Sequence, residues 1–154
     1  MRFSRVDHVG FSVANLDRSV AWYTFLFEEP PMRRQLYDVE YVSRVVGYPE
    51  TVLDTALWQL PGGWVFELLE YKSPPAQRVD METYNVGNGH LCLIVDDLAA
   101  EFERLRGHAE FRDPEPVEIP WGHFAGGKSC YLRDPDGISI ELVQYPPGGP
   151  RREA

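Results

Sequence analysis

Two carboxylates stand in company that does not suit them. Glu141 lies in the run Ile138-Ser139-Ile140-Glu141-Leu142-Val143, and Glu67 in Val65-Phe66-Glu67-Leu68-Leu69. Burying a lone carboxylate among branched apolar side chains costs several kcal/mol unless a cation or a proton accompanies it. Two histidines complete a set. His8 and His90 are separated by 82 residues, as are Val13 and Val95, and Leu16 and Leu98. Glu67 and Glu141 are separated by 74, as are Pro61 and Pro135, Gly63 and Gly137, and Tyr71 and Tyr145. An internal repeat therefore relates the four residues, and a pseudo-twofold pairing of its two copies would bring them to one place. Two neutral imidazoles and two carboxylates suit one divalent metal ion of borderline character: Ni, Co, Zn, Mn or Fe(II). Four protein ligands leave coordination positions to water, which a substrate would displace. The charge of the filled site would be near zero, so the buried carboxylates would no longer be anomalous.

The elements that must position these residues follow from periodicity. Residues 6–13 read as a strand with Val9, Phe11 and Val13 on one face and His8, Gly10 and Ser12 on the other. Asn15 is placed to cap a helix carrying Leu16, Val20, Tyr23 and Phe27, which Pro30-Pro31 ends. Residues 28–55 are less regular, with a short helix expected over 37–46. Strands are expected at 55–60 and 64–71 around the Pro61-Gly62-Gly63 turn. Residues 72–88 read as a linker. The pattern then restarts with a strand from His90, a helix capped by Asp97 and carrying Leu98, Phe102 and Leu105, and a loop-rich stretch over 111–127. A hairpin over 129–145 turns at Asp134-Pro135-Asp136-Gly137. The expected class is α+β, one domain over 1–145 made of two strand–helix–strand–strand–strand modules in tandem, about 5–72 and 88–145. A flexible tail is expected over 146–154.

The chain resembles the vicinal oxygen chelate superfamily, the glyoxalase, bleomycin-resistance and dioxygenase group. The residues that carry the resemblance are His8, Asn15-Leu16-Asp17-Arg18-Ser19-Val20-Ala21-Trp22-Tyr23, Glu67-Leu68-Leu69-Glu70, Gly89-His90-Leu91, and Asp134-Pro135-Asp136-Gly137 leading to Glu141. The resemblance implies two βαβββ modules forming a curled mixed sheet around a metal cup, and a homodimer. It also implies a lyase or isomerase of the glyoxalase I type, which moves a proton next to a metal-chelated carbonyl. A metal-bound glutamate serves as base in such enzymes, a role that falls here on Glu141 or Glu67. Tyr48-Pro49-Glu50 resembles the segment that carries the base in the related epimerases, which makes Glu50 a further candidate.

Two other chemistries share this scaffold. The stretch from His123 to Glu141 partly resembles the signature of ring-cleaving extradiol dioxygenases, with His123 as an acid or base and Tyr131 as a supporting donor. Members that sequester an antibiotic or other ligand without turnover could use Trp58, Trp64 and Trp121 to stack on a flat molecule. The substrate is a small molecule, and the resemblance allows a thiol conjugate or an acyl-CoA. Arg33, Arg34, Arg44 and Lys128 are the cations available to such a carrier.

Bulk properties exclude other classes. A net charge of −9 argues against nucleic acid or an anionic membrane as partner. Two cysteines, Cys92 and Cys130, make neither a disulfide framework nor a metal motif. The start of the chain lacks the apolar run of a signal peptide, and no stretch approaches a membrane span, so a cytoplasmic protein is expected.

Overall fold

The computed structural model describes residues 2–149. The fold is α+β, and the described residues form two mixed sheets of four and five strands. The chain divides into two compact units, the first ending at Val79 and the second beginning at Asp80.

In the first unit, strand β1 (His8–Ser12) is followed by helix α1 (Leu16–Phe27), β2 (Arg33–Tyr37), α2 (Glu40–Val46), β3 (Val52–Leu60) and β4 (Trp64–Ser73). The strand order is β1-β4-β3-β2, with β1 parallel to β4 and the other pairs antiparallel. The side chain of Asn15 accepts from the amide of Arg18 at 2.8 Å and starts α1 as expected. The buried stripe of that helix is Leu16, Ser19, Tyr23 and Leu26, rotated from the expected one. Tyr23 meets Phe66 with ring centroids 4.8 Å apart, and Trp58 and Phe27 complete an aromatic core on the helix-bearing face of the sheet.

The second unit repeats the plan. Strand β5 (His90–Ile94) leads to α3 (Leu98–Leu105), the two-residue strands β6 (Glu110–Phe111) and β7 (Val117–Glu118), then β8 (Lys128–Arg133) and β9 (Ser139–Gln144). The order is β5-β9-β8-β6, with β7 also pairing with β8. Asp97 caps α3 through the amide of Ala100 at 3.0 Å, and Leu98, Phe102 and Leu105 are its buried residues, as expected.

The repeat holds at atomic detail. The amide of Val13 donates to Leu69 in one unit and that of Val95 to Val143 in the other, at 2.8 and 2.9 Å. The amide of Leu16 donates to Glu70 Oε2 at 2.7 Å, and that of Leu98 to Gln144 Oε1 at 2.8 Å. In each unit a side chain on the last strand thus satisfies an otherwise orphaned donor at the helix start.

Three expectations change. Residues 33–37, read within an irregular insert, form β2, an edge strand whose Arg33-Arg34-Gln35 lacks apolar alternation. The stretch read as a linker is only partly one. β4 runs on to Ser73, and residues 80–88 fold into turns in which the side-chain Nδ2 of Asn88 donates to the carbonyls of Asp80 and Glu82 at 2.7 and 2.9 Å. Of the expected tail, Pro146 to Gly149 form a turn, and residues 150–154 lie outside the described residues.

Candidate active site

Strand alternation and register decide which side chains share a face. In the first unit His8 and Gly10 stand opposite Val65 and Glu67, and Glu67 stands opposite Leu57 on β3. Phe66 and Leu68, on either side of Glu67, point into the core and are at most 1 % exposed. Glu67 therefore emerges on the face away from α1, beside His8. His8 Nε2 lies 3.5 Å from Glu67 Oε2, and His8 Nδ1 lies 3.2 Å from Asp7 Oδ2. Gly10 makes the room. A Cβ there would come within 3.2 Å of Glu67 Oε2 and 2.9 Å of Leu69 Cδ1. Burial pushes the Glu67 carboxyl above its usual range, and His8 offsets part of that shift.

In the second unit Cys92 and Tyr131 flank Glu141 in register. The turn that aims β9 is built by Asp134, whose Oδ1 accepts from the amides of Asp136 and Ile138, each at 2.8 Å. Gly137 closes it at φ 88°, a conformation that favours glycine. His90 Nε2 then lies 3.1 Å from Glu141 Oε2. Ser129 Oγ donates to Glu141 Oε1 at 3.1 Å, and the Tyr131 hydroxyl lies 3.2 Å from His90 Nε2. Burial and the charge of Glu141 push the Tyr131 phenol well above its usual range, so it stays protonated. The same two causes push the Cys130 thiol up to about 11, which makes it inert at neutral pH.

The four residues expected as metal ligands thus stand as two pairs, His8 with Glu67 and His90 with Glu141, each on the face of its own sheet away from α1 or α3. Among the described residues no group of three or more His, Cys, Asp and Glu side chains gathers on one point. The donor chemistry of each pair fits a divalent ion. In the first pair the His8 tautomer that donates from Nδ1 to Asp7 Oδ2 would present the Nε2 lone pair to Glu67 Oε2. Two acceptors would then face each other, an arrangement that a cation relieves.

The remaining candidates separate. Trp121 is 78 % exposed and lines a cavity of about 320 Å3 that also touches Ser129 and Tyr131. The His123 ring packs on Phe124 and Tyr145, with centroids 4.9 and 5.9 Å away, and is not part of that lining. Lys128 alternates with Ser129 and so faces the other side of β8, beside Gln144. Arg44 is an exposed residue in the last turn of α2. Glu50 has a left-handed backbone, φ 53°, and lines a separate cavity of about 390 Å3 with Asp38, Glu40 and Ser43. Its neighbour Tyr48 packs on Tyr71, which lies roughly 13 Å along β4 from Glu67 at strand rise. Trp58 is 2 % exposed and donates to the carbonyl of Glu29, so it is core and not a stacking platform. Sequence reading missed Asp7 and Ser129. Counting back from the Asp134-Gly137 turn would have put Ser129 and Tyr131 on the Glu141 face.

Comparison with known proteins agrees with this architecture. A lactoylglutathione lyase of Salmonella typhimurium is 31% identical over 153 residues, covering 94% of this chain and 96% of that one. A 2-epi-5-epi-valiolone epimerase of an Actinomyces species is 28% identical over 151 residues, covering 94% and 81%. The crystal structure of a glyoxalase family protein from Bacillus cereus superposes with a TM-score of 0.77 at 23% identity, covering 95% of this chain and 97% of that one. The family model for the glyoxalase, bleomycin resistance protein and dioxygenase superfamily matches residues 5–142. These similarities establish that the chain belongs to the glyoxalase/bleomycin resistance protein/dioxygenase superfamily.

Proposed function

We propose that the protein is a metal-dependent lyase or isomerase that moves a proton at a carbon next to a carbonyl. The observation that carries this reading is the pair of repeat-related His–Glu couples, His8 with Glu67 and His90 with Glu141. Together they would hold one divalent ion, whether both couples come from one chain or from two. The ion, when bound, would polarise the substrate carbonyl and acidify the neighbouring C–H. The chain's own residues do the rest. Ser129 fixes one oxygen of Glu141, which leaves Oε2 to the His90 side. Among the described residues Glu67 accepts no such hydrogen bond: Thr55, which stands where the second unit has Ser129, donates instead to the carbonyl of Gln35 at 3.3 Å, and Leu57 stands where the second unit has Tyr131. Either carboxylate can take the proton from carbon and return it to the neighbouring carbon, or the other carboxylate can protonate the same carbon from its opposite face. Return to the same carbon from the opposite side is epimerisation, and return to its neighbour is isomerisation. The names of the two relatives, a lyase and an epimerase, support this class of chemistry and leave both outcomes represented.

The test is anaerobic turnover in deuterated water, with a hemithioacetal and with a 2-substituted acyl thioester. Deuterium entering the carbon beside the carbonyl supports the reading. Its absence with both substrates in metal-loaded protein overturns it. A ring-cleaving dioxygenase is the second reading, favoured by the contact of the Tyr131 hydroxyl with His90. Oxygen consumption with catechols would select it. The resemblance further implies a homodimer, which sedimentation velocity tests.

A further inference from the structure

The cavity lined by Ser129 and Tyr131, the residues that contact Glu141 and His90, has an apolar side and a charged side. It holds about 320 Å3, and Val117, Ile119, Pro120 and Trp121 give it an apolar side. Arg112 is the one cation in its lining, and that charge is already matched. Arg112 Nη1 donates to Glu82 Oε2 at 3.1 Å, while Arg133 donates to the other oxygen of Glu82 and stands opposite Glu110, so that two guanidiniums meet two carboxylates. Asp113 adds a carboxylate to the same lining, while the Glu118 side chain, in register with Lys128, faces the other side of the sheet. A substituent carrying a carboxylate would meet Asp113 and find Arg112 already engaged by Glu82. An uncharged apolar group would only displace water. Glu82 is held ready for this task by the turns of residues 80–88. Its carbonyl accepts from Asn88 at 2.9 Å, and Met81 packs against Gly137, where an added Cβ would come within 3.2 Å of Met81 Cβ.

We infer that this cavity is the subsite for an uncharged, largely apolar substituent of the substrate, and that Glu82 determines that specificity by cancelling the charge of Arg112. That the occupant is part of a substrate rests on the proton-transfer reading; the charge preference of the cavity does not.

The test is equilibrium binding of two probes to the full chain, followed by NMR titration: para-methylacetophenone and para-acetylbenzoate. They share a ring and a ketone and differ in one carboxylate. The wild-type protein is expected to bind the neutral probe about tenfold or more tightly than the acid, and Trp121→Ala to weaken the neutral probe several-fold. Glu82→Gln frees Arg112 and is expected to cut the preference to about threefold or less by tightening the acid. Adding Arg112→Gln to that variant should abolish the gain. Should Glu82→Gln fail to fold, Arg112→Gln alone is expected to keep or widen the wild-type preference. Equal binding of both probes to wild type, an unchanged ratio in folded Glu82→Gln, a narrowed preference in Arg112→Gln, or binding of neither probe overturns the inference. A failure of the proton-transfer reading would appear instead as absent deuterium exchange with these binding ratios intact.

Discussion

Gly10 shows how finely one residue is fitted to its neighbour across the sheet. It stands opposite Glu67, and its missing Cβ is the space that the carboxylate and Leu69 share. Gly10→Ala is therefore expected to shift Glu67 while leaving the fold intact, because Leu69 Cδ1 can move aside. Divalent metal affinity, measured by calorimetry, should fall roughly 10- to 100-fold with little change in thermal midpoint, as when support of a ligand is disturbed elsewhere. A midpoint drop with unchanged metal affinity would assign Gly10 to packing alone. At this scale His8, Glu67, His90 and Glu141 were legible in the sequence because the repeat couples them. Asp7 and Ser129 were not, since a polar residue beside a histidine or within a strand acquires a role only once the register is known. Lys128 fails as a site candidate for the same reason: one step along β8 puts it on the face opposite Ser129.

Helix starts are tied to the last strand of each unit by one side chain. Gln144→Ala removes the acceptor that meets the amide of Leu98 at 2.8 Å. The expected cost is about 1 kcal/mol of stability, read from urea unfolding. A second tie is electrostatic. Arg133, with Arg112, holds the Glu82 carboxyl below the usual range. A carboxylate whose folded pKa is depressed contributes stability above its unfolded value and loses it as pH falls through the folded one. Wild type should therefore be more stable than Glu82→Gln at neutral pH, with the two converging below the ordinary carboxylate range. A gap that persists or grows in acid would contradict this. The helices and the two hairpins were legible because their caps, turns and periodicity agree. β2 was not, because an edge strand needs charge more than alternation, and Arg33 and Arg34 supply it.

Two copies of one βαβββ plan, each presenting a histidine and a glutamate on the face away from α1 or α3, are the organising fact of the molecule. The repeat spacing made that plan readable before any coordinates. The cavity walled by Trp121 was not readable, because residues 111–127 carry turn residues and no period. No helix among the described residues is long and apolar enough to cross a membrane. The central claim is that both His–Glu pairs serve one ion. The most direct measurement is the metal content of purified, metal-reconstituted protein, compared among wild type, Glu67→Ala and Glu141→Ala. About one tightly held divalent ion per chain in wild type, lost in both variants, is the expected result. No bound ion in wild type, or an ion retained when either glutamate is removed, would contradict it.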